Sequence, residues 1–151
     1  MSEHRATILW QRGDIPFEYE TYSRDHTWEF SGGAIVAASA APDFLGNPEG
    51  VDPEEAFVAA VASCHMLTFL AIAARKRRTV VHYRDLAVGT MEKDADGKLS
   101  VTRVVLRPII RFDDDVEITE DEIARLHHLA HENCFIANSI KTQVRIESPT
   151  A

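Results

Sequence analysis

Apolar and polar residues alternate in two short stretches near the start of the chain, ATILWQRG from Ala6 and PFEYETYS from Pro16. A period of two belongs to a strand with one buried face. Gly13 and Asp14 between the stretches are turn residues, so the pattern predicts a hairpin. HTWEFSGG, from His26, predicts a third short strand. Gly32 to Gly50 is small, apolar and interrupted by Gly and Pro, which predicts a long loop of a kind often used for function. The pattern then turns helical. Asp52 can cap, Pro53 suits the first helical position, and Glu54 and Glu55 suit a helix N-terminus, so a helix is expected to run to about Arg75. Val80 to Phe112 predicts one long hairpin turning at DADGK, with Pro108 at a bulge or edge. Thr119 and Glu122 form a capping box, and Ile123, Leu126, Leu129 and Ala130 mark the apolar stripe of a second helix. TQVRIES, from Thr142, predicts a closing strand.

Strands, helix, hairpin, helix, strand is the order of an α+β fold with mainly antiparallel sheets around a central buried helix. At 151 residues, 1–151 is expected to form one domain. The first helix is apolar on nearly every side and must be covered all round. A chain this short covers only part of it, and the remaining face is expected to meet another subunit.

Charge narrows the partners. The net charge of −8 argues against binding to nucleic acid or to a membrane surface, which needs clustered cations. Residues 57–74 approach the length of a membrane span, but they are rich in Ala and carry Ser63, Cys64, His65 and Thr68. A buried helix in a soluble protein is the better reading. Arg75 to Arg78, RKRR, then complement the negative end of that helix. The first residues carry charges throughout and no apolar signal core, so the expected location is the cytoplasm. In that reducing compartment two cysteines are expected to be free, catalytic or metal-bound.

Cys64 sits in the first helix behind the small residues Ala59, Ala60, Ala62 and Ser63, and Cys134 ends the second helix. Each could be small buried filler. Cys64, His65, His131 and Cys134 could together hold zinc, and the H-x-x-C spacing of HENC suits an ion. Adjacent residues on a helix point about 100° apart, however, so Cys64 and His65 do not easily share one. The same geometry weakens a Cys–His acyl-transfer pair unless His131 reaches across. His26 and His131 read as structural hydrogen-bonders, and His127 and His128 as facing solvent or a crevice edge. On the residues alone, Arg24 could be a surface cation paired with Asp25, and Glu54 could be only a helix N-terminal acid that Glu55 could replace.

DPEEAFVAAVASCH together with AHENCFIANSIK resembles the two signature segments of the OsmC/Ohr family. That family comprises the osmotically inducible protein C and organic hydroperoxide resistance proteins. SRDHTWEF resembles the segment carrying the family's essential arginine. The resemblance implies an OsmC-like α+β fold in an intertwined homodimer with active sites at the subunit interface. It implies a thiol peroxidase for organic hydroperoxides that uses no metal and no bound cofactor. Cys64 would be the peroxidatic thiol and Cys134 the resolving one. Arg24 would stabilise the thiolate and Glu54 would hold Arg24. A small apolar hydroperoxide and an external dithiol reductant are the implied partners.

The chemistry agrees. A thiolate attacks the peroxide, burial disfavours that thiolate, and a fixed guanidinium opposes burial. The sulfenic acid so formed condenses with a second thiol. Glu54 and Cys64 are ten residues apart, roughly 15 Å along one helix, so Glu54 is expected to serve a partner's thiol. His65-Met66 and Phe135 depart from the family pattern and bear on substrate and reductant. The alternative function is a non-enzymatic carrier holding an apolar or fatty-acid-like ligand, with Arg24 as carboxylate anchor.

Overall fold

The computed structural model describes residues 1–147. The chain divides into two compact units, Met1–Ala56 and Phe57–Ala151, each considered by itself.

In the first unit three strands, β1 (Ala6–Leu9), β2 (His26–Phe30) and β3 (Ile35–Ala38), form an antiparallel sheet with β2 in the centre. Ile8 stands opposite Trp28, which in turn faces Val36. The expected hairpin between β1 and residues 16–23 is not formed; β1 pairs with β2 instead. The segment turns at Glu18, whose carbonyl accepts from the N–H groups of Thr21 and Tyr22 at 3.1 and 3.0 Å. The rings explain why. Phe17 and Tyr22 pack 5.3 Å apart, and Trp10 packs on both. Residues five apart point to opposite faces of a strand, so these rings meet only if the chain turns.

The expected Gly32–Gly50 loop also gains structure. Ile35 and Val36 suit a strand, and Gly33, at φ 85, makes the tight turn that returns β3 onto β2. Beyond β3, a single 3-10 turn covers Pro42–Phe44. Gly46 lies so close to Ala40 that a Cβ there would overlap the Ala40 carbonyl oxygen, 1.6 Å away.

The long helix α1 (Pro53–Arg75) lies mostly in the second unit. Asp52 caps it as expected, accepting from Glu55 N–H at 2.7 Å, while the Glu55 carboxylate accepts from Asp52 N–H at 3.3 Å. By length and composition α1 could cross a bilayer. It buries only one stripe in this chain, Val61, His65, Phe69 and Ala73, spaced four apart.

The expected long hairpin splits into two nested pairs. Outer strands β4 (Val80–Asp85) and β7 (Pro108–Phe112) form one antiparallel sheet. Inner strands β5 (Val88–Lys93) and β6 (Leu99–Leu106) belong to another. The break has a local cause. Asp85 Oδ1 takes the Arg107 N–H at 2.7 Å, and Pro108, which has no N–H, starts a new strand. The DADGK turn is as expected: the Asp94 carboxylate accepts from Asp96 and Lys98 N–H, and Gly97 has φ 76. The closing strand β8 (Gln143–Ile146) pairs parallel with β6, so the sheets are mainly, not wholly, antiparallel.

Helix α2 (Glu120–Glu132) starts at Thr119, whose hydroxyl accepts from Glu122 N–H at 3.2 Å. The Glu122 carboxylate does not complete the box; it binds Arg78 at 2.6 Å. Two apolar clusters result. Phe69, Ala73, Leu126 and Ala130 join α1 to α2, and Val61, Val104 and Leu106 join α1 to β6.

Candidate functional site

Cys64 falls one residue before His65 on α1 and therefore misses the buried stripe. It opens instead into a cavity of about 710 Å³ together with Leu67, Thr68, Ala71, Leu129 and Phe135. Thr68 donates its hydroxyl to the Cys64 carbonyl at 2.8 Å, which keeps that polar group off the cavity wall. Cys134 follows the last turn of α2 and is 1% exposed. The structure brings the two free thiols near enough for Cys64 to act on the ionisation of Cys134. Burial pushes the Cys134 thiol pKa up, and the neighbouring Cys64 pushes it further. The Ala137 N–H, 3.5 Å from Sγ, pulls the other way. Burial and Cys64 both favour the protonated form of the Cys134 thiol.

Beside the thiols lies an element the sequence reading missed. His65, 1% exposed, stacks on His127, with ring centroids 5.3 Å apart and Nε2 to Nδ1 at 3.0 Å. His127 was expected to face solvent or a crevice edge; it is 8% exposed because α2 turns it inward onto Phe69, 4.6 Å away. His128 does face outward, near Glu132. Burial lowers the pKa of His65 to about 4, helped by His127 and His131, and burial lowers His127 to about 4. Val61, His65, Phe69 and Ala73, four apart, are the buried stripe, but the sequence of α1 is apolar on nearly every side and does not single it out. His131 Nδ1, expected to bond, is buried without a partner among the described residues. Among those residues no three His, Cys, Asp or Glu side chains form a ligand cluster, the proposed zinc set included.

The first unit carries its own cavity, about 730 Å³, lined by Trp10, Phe17, Tyr22, Arg24, Phe44 and Glu54 among others. Among the described residues Arg24 forms no ion pair with Asp25. It donates to the carbonyls of Tyr22 and Tyr19 at 2.6 and 2.5 Å, and its guanidinium lies 3.8 Å from the Tyr22 ring centroid. The indole of Trp28 donates to His26 Nε2 at 2.9 Å, so His26 Nδ1 carries the proton and donates to the Arg24 carbonyl at 2.7 Å. His26 is a structural hydrogen-bonder, as expected. Glu54 shares the cavity with Arg24, and no ion pair joins them among the described residues.

Comparison with known proteins places this geometry in a wider group. A family model described as OsmC-like protein matches residues 46–148. An OsmC-like protein of unknown function from Vibrio cholerae O1 biovar eltor is 51% identical, with a TM-score of 0.91 over 98% of this chain and 99% of that one. The uncharacterized protein YmaD of Bacillus subtilis is 26% identical over 127 residues, 78% of each chain. The organic hydroperoxide resistance protein OhrB of Bacillus subtilis shares the fold at a TM-score of 0.66 and 16% identity, covering 97% of this chain and 98% of that one.

Proposed function

The chain belongs to the OsmC-like protein family, and from that premise we propose that it is a thiol peroxidase reducing organic hydroperoxides. The observation that carries the reading is a cavity-lining Cys64 near a buried second thiol, Cys134. The Cys64 thiolate attacks the outer peroxide oxygen, the O–O bond breaks, and the alkoxide leaves and takes a proton. Two electrons pass from sulfur to oxygen, and Cys64 becomes a sulfenic acid. Cys134 then attacks that sulfur, water leaves, and a disulfide forms. An external dithiol reduces it by exchange and restores both thiols.

Arg24 favours the thiolate and orients the peroxide. Its grip on two carbonyls and the Tyr22 ring supports this role, because a guanidinium held in place loses little freedom on binding. Glu54, in the same cavity, completes the charge around it when substrate enters. In this reading Arg24 and Glu54 act on the Cys64 of a second copy in a homodimer. The open face of α1 supports that arrangement; a sedimentation run showing a stable, fully active monomer would contradict it. The apolar lining beside Cys64 favours alkyl over hydrogen peroxide. The chain acts as a single 1–151 domain in the cytoplasm.

Titrating the thiols with cumene hydroperoxide tests the proposal. Rapid, stoichiometric thiol loss at neutral pH is expected. Inert thiols with retained fatty-acid binding would favour a carrier instead.

A further inference from the structure

A polar link crosses the closed side of α1. The bond between His65 Nε2 and His127 Nδ1, 3.0 Å long, is the one side-chain hydrogen bond between α1 and α2 among the described residues. Both residues are buried, and their rings stack. The link lies within one chain, on the stripe of Val61, Phe69 and Ala73 rather than on the open face of α1. It also adjoins both thiols. His65 follows Cys64 directly, and His127 stands two helical turns before Cys134, about 10 Å along the axis of α2. Cys134 lies just past the end of that helix, so its place depends on how α2 is seated on α1. The apolar contacts of Phe69, Ala73, Leu126 and Ala130 hold the helices together without fixing their register; a hydrogen bond is directional and does fix it.

The link holds only while the rings are neutral. A neutral imidazole has one N–H, so the two facing nitrogens share one proton. A second proton between them would set N–H against N–H and break the bond. The other nitrogen of His65, Nδ1, is buried with no partner among the described residues, so a proton added there finds no acceptor. Burial holds the His65 pKa low, and His127 and His131 of α2 lower it further; burial does the same to His127. The strands packed on α1 bring no counter-charge. β6 offers Val104 and Leu106, and β7 offers Ile110 and Phe112. Tyr83 of β4 packs on Phe69, and Asp85 acts on the Tyr83 hydroxyl but on neither histidine.

We propose that the His65–His127 pair is an acid-sensitive latch that seats Cys134 for its attack on oxidised Cys64. The proposal rests on the peroxidase reading of the two cysteines. An open latch lets both rings take up protons that the closed one refuses, so opening becomes more favourable as pH falls. Disulfide closure is then lost while the oxidation of Cys64, which does not need Cys134, continues. Acid leaves Cys64 as a sulfenic acid exposed to further oxidation. Both histidines act through the seating of Cys134 and are positioning residues.

The test compares the full-length wild type with the double variant His65→Gln/His127→Asn, whose amides put groups that do not titrate at the facing positions. After mixing with cumene hydroperoxide, oxidation of Cys64 and closure of the disulfide are followed separately. From about pH 7 to about pH 5 the ratio of closure rate to oxidation rate should fall about 10-fold further in the wild type than in the variant. Without peroxide, labelling of Cys134 relative to Cys64 by dithiodipyridine should rise about 10-fold over that range in the wild type alone, with the far-UV circular dichroism unchanged. Equal pH profiles in the two proteins, or labelling that rises only as the helical signal collapses, overturn the latch and leave the peroxidase reading standing. If cumene hydroperoxide does not oxidise Cys64, the peroxidase reading fails and the labelling decides the latch alone. Should the double variant not fold, the wild type still decides: a Cys134 that stays unlabelled down to about pH 4.5 removes the latch, and one labelled while the helical signal persists retains it.

Discussion

Cys64 and His65 are neighbours in sequence and opposites in structure. His65 belongs to the stripe of α1 closed by Phe69, Leu126 and the stacked His127. Cys64 belongs to the stripe left open, beside Leu67, which is 60% exposed. A rotation of about 100° separates core from chemistry. The closed face buys rigidity for the open one: a thiol mounted on a packed helix is held where a second sulfur can reach it.

Substitutions on the two faces should therefore fail in different ways. The largest effect is expected from Cys64→Ser, which should lower peroxidase turnover on the order of 10³-fold or more while leaving the thermal midpoint nearly unchanged. Cys134→Ser should permit one oxidation per site and then stall, seen as a single burst in stopped-flow consumption of hydroperoxide. On the closed face, Phe69→Ala should cost about 3–5 kcal/mol in urea unfolding, because it empties the centre of a packed cluster.

The histidine pair sharpens the comparison through pH. Both rings titrate near 4 when folded and near 6.5 when unfolded. The unfolded chain thus binds protons first as pH falls. Stability should be full above about pH 6.5 and decline by a few kcal/mol toward pH 4. Denaturant midpoints across that window measure it; a flat profile would mean the pair is not buried neutral. The smallest effect is expected on the open face, where Leu67→Ala should change stability by no more than about 0.5 kcal/mol.

How much of this could be read in advance differs by element. The start of α1 was legible because Asp52, Pro53 and Glu55 act on their immediate neighbours. The DADGK turn and the Thr119 cap were legible for the same reason. Strand pairing was less so. Residues 16–23 alternate like a strand, but the packing of Phe17 and Tyr22, and the claim of Arg24 on two carbonyls, override the pattern. The parallel pairing of β8 with β6 joins residues about 40 apart and leaves no local mark. At the site, the two cysteine segments were visible as a pair, but the contact between the thiols requires α1 and α2 to be packed. His65 was hidden because nearly every position of α1 is apolar, so no single stripe stands out as the buried one.

The most direct test is peptide mapping after one equivalent of cumene hydroperoxide is added to the reduced chain. The account predicts loss of two hydrogens per chain and a single disulfide joining the peptides that contain Cys64 and Cys134. Two free thiols after that treatment, or oxidation of Cys134 with Cys64 intact, would contradict it.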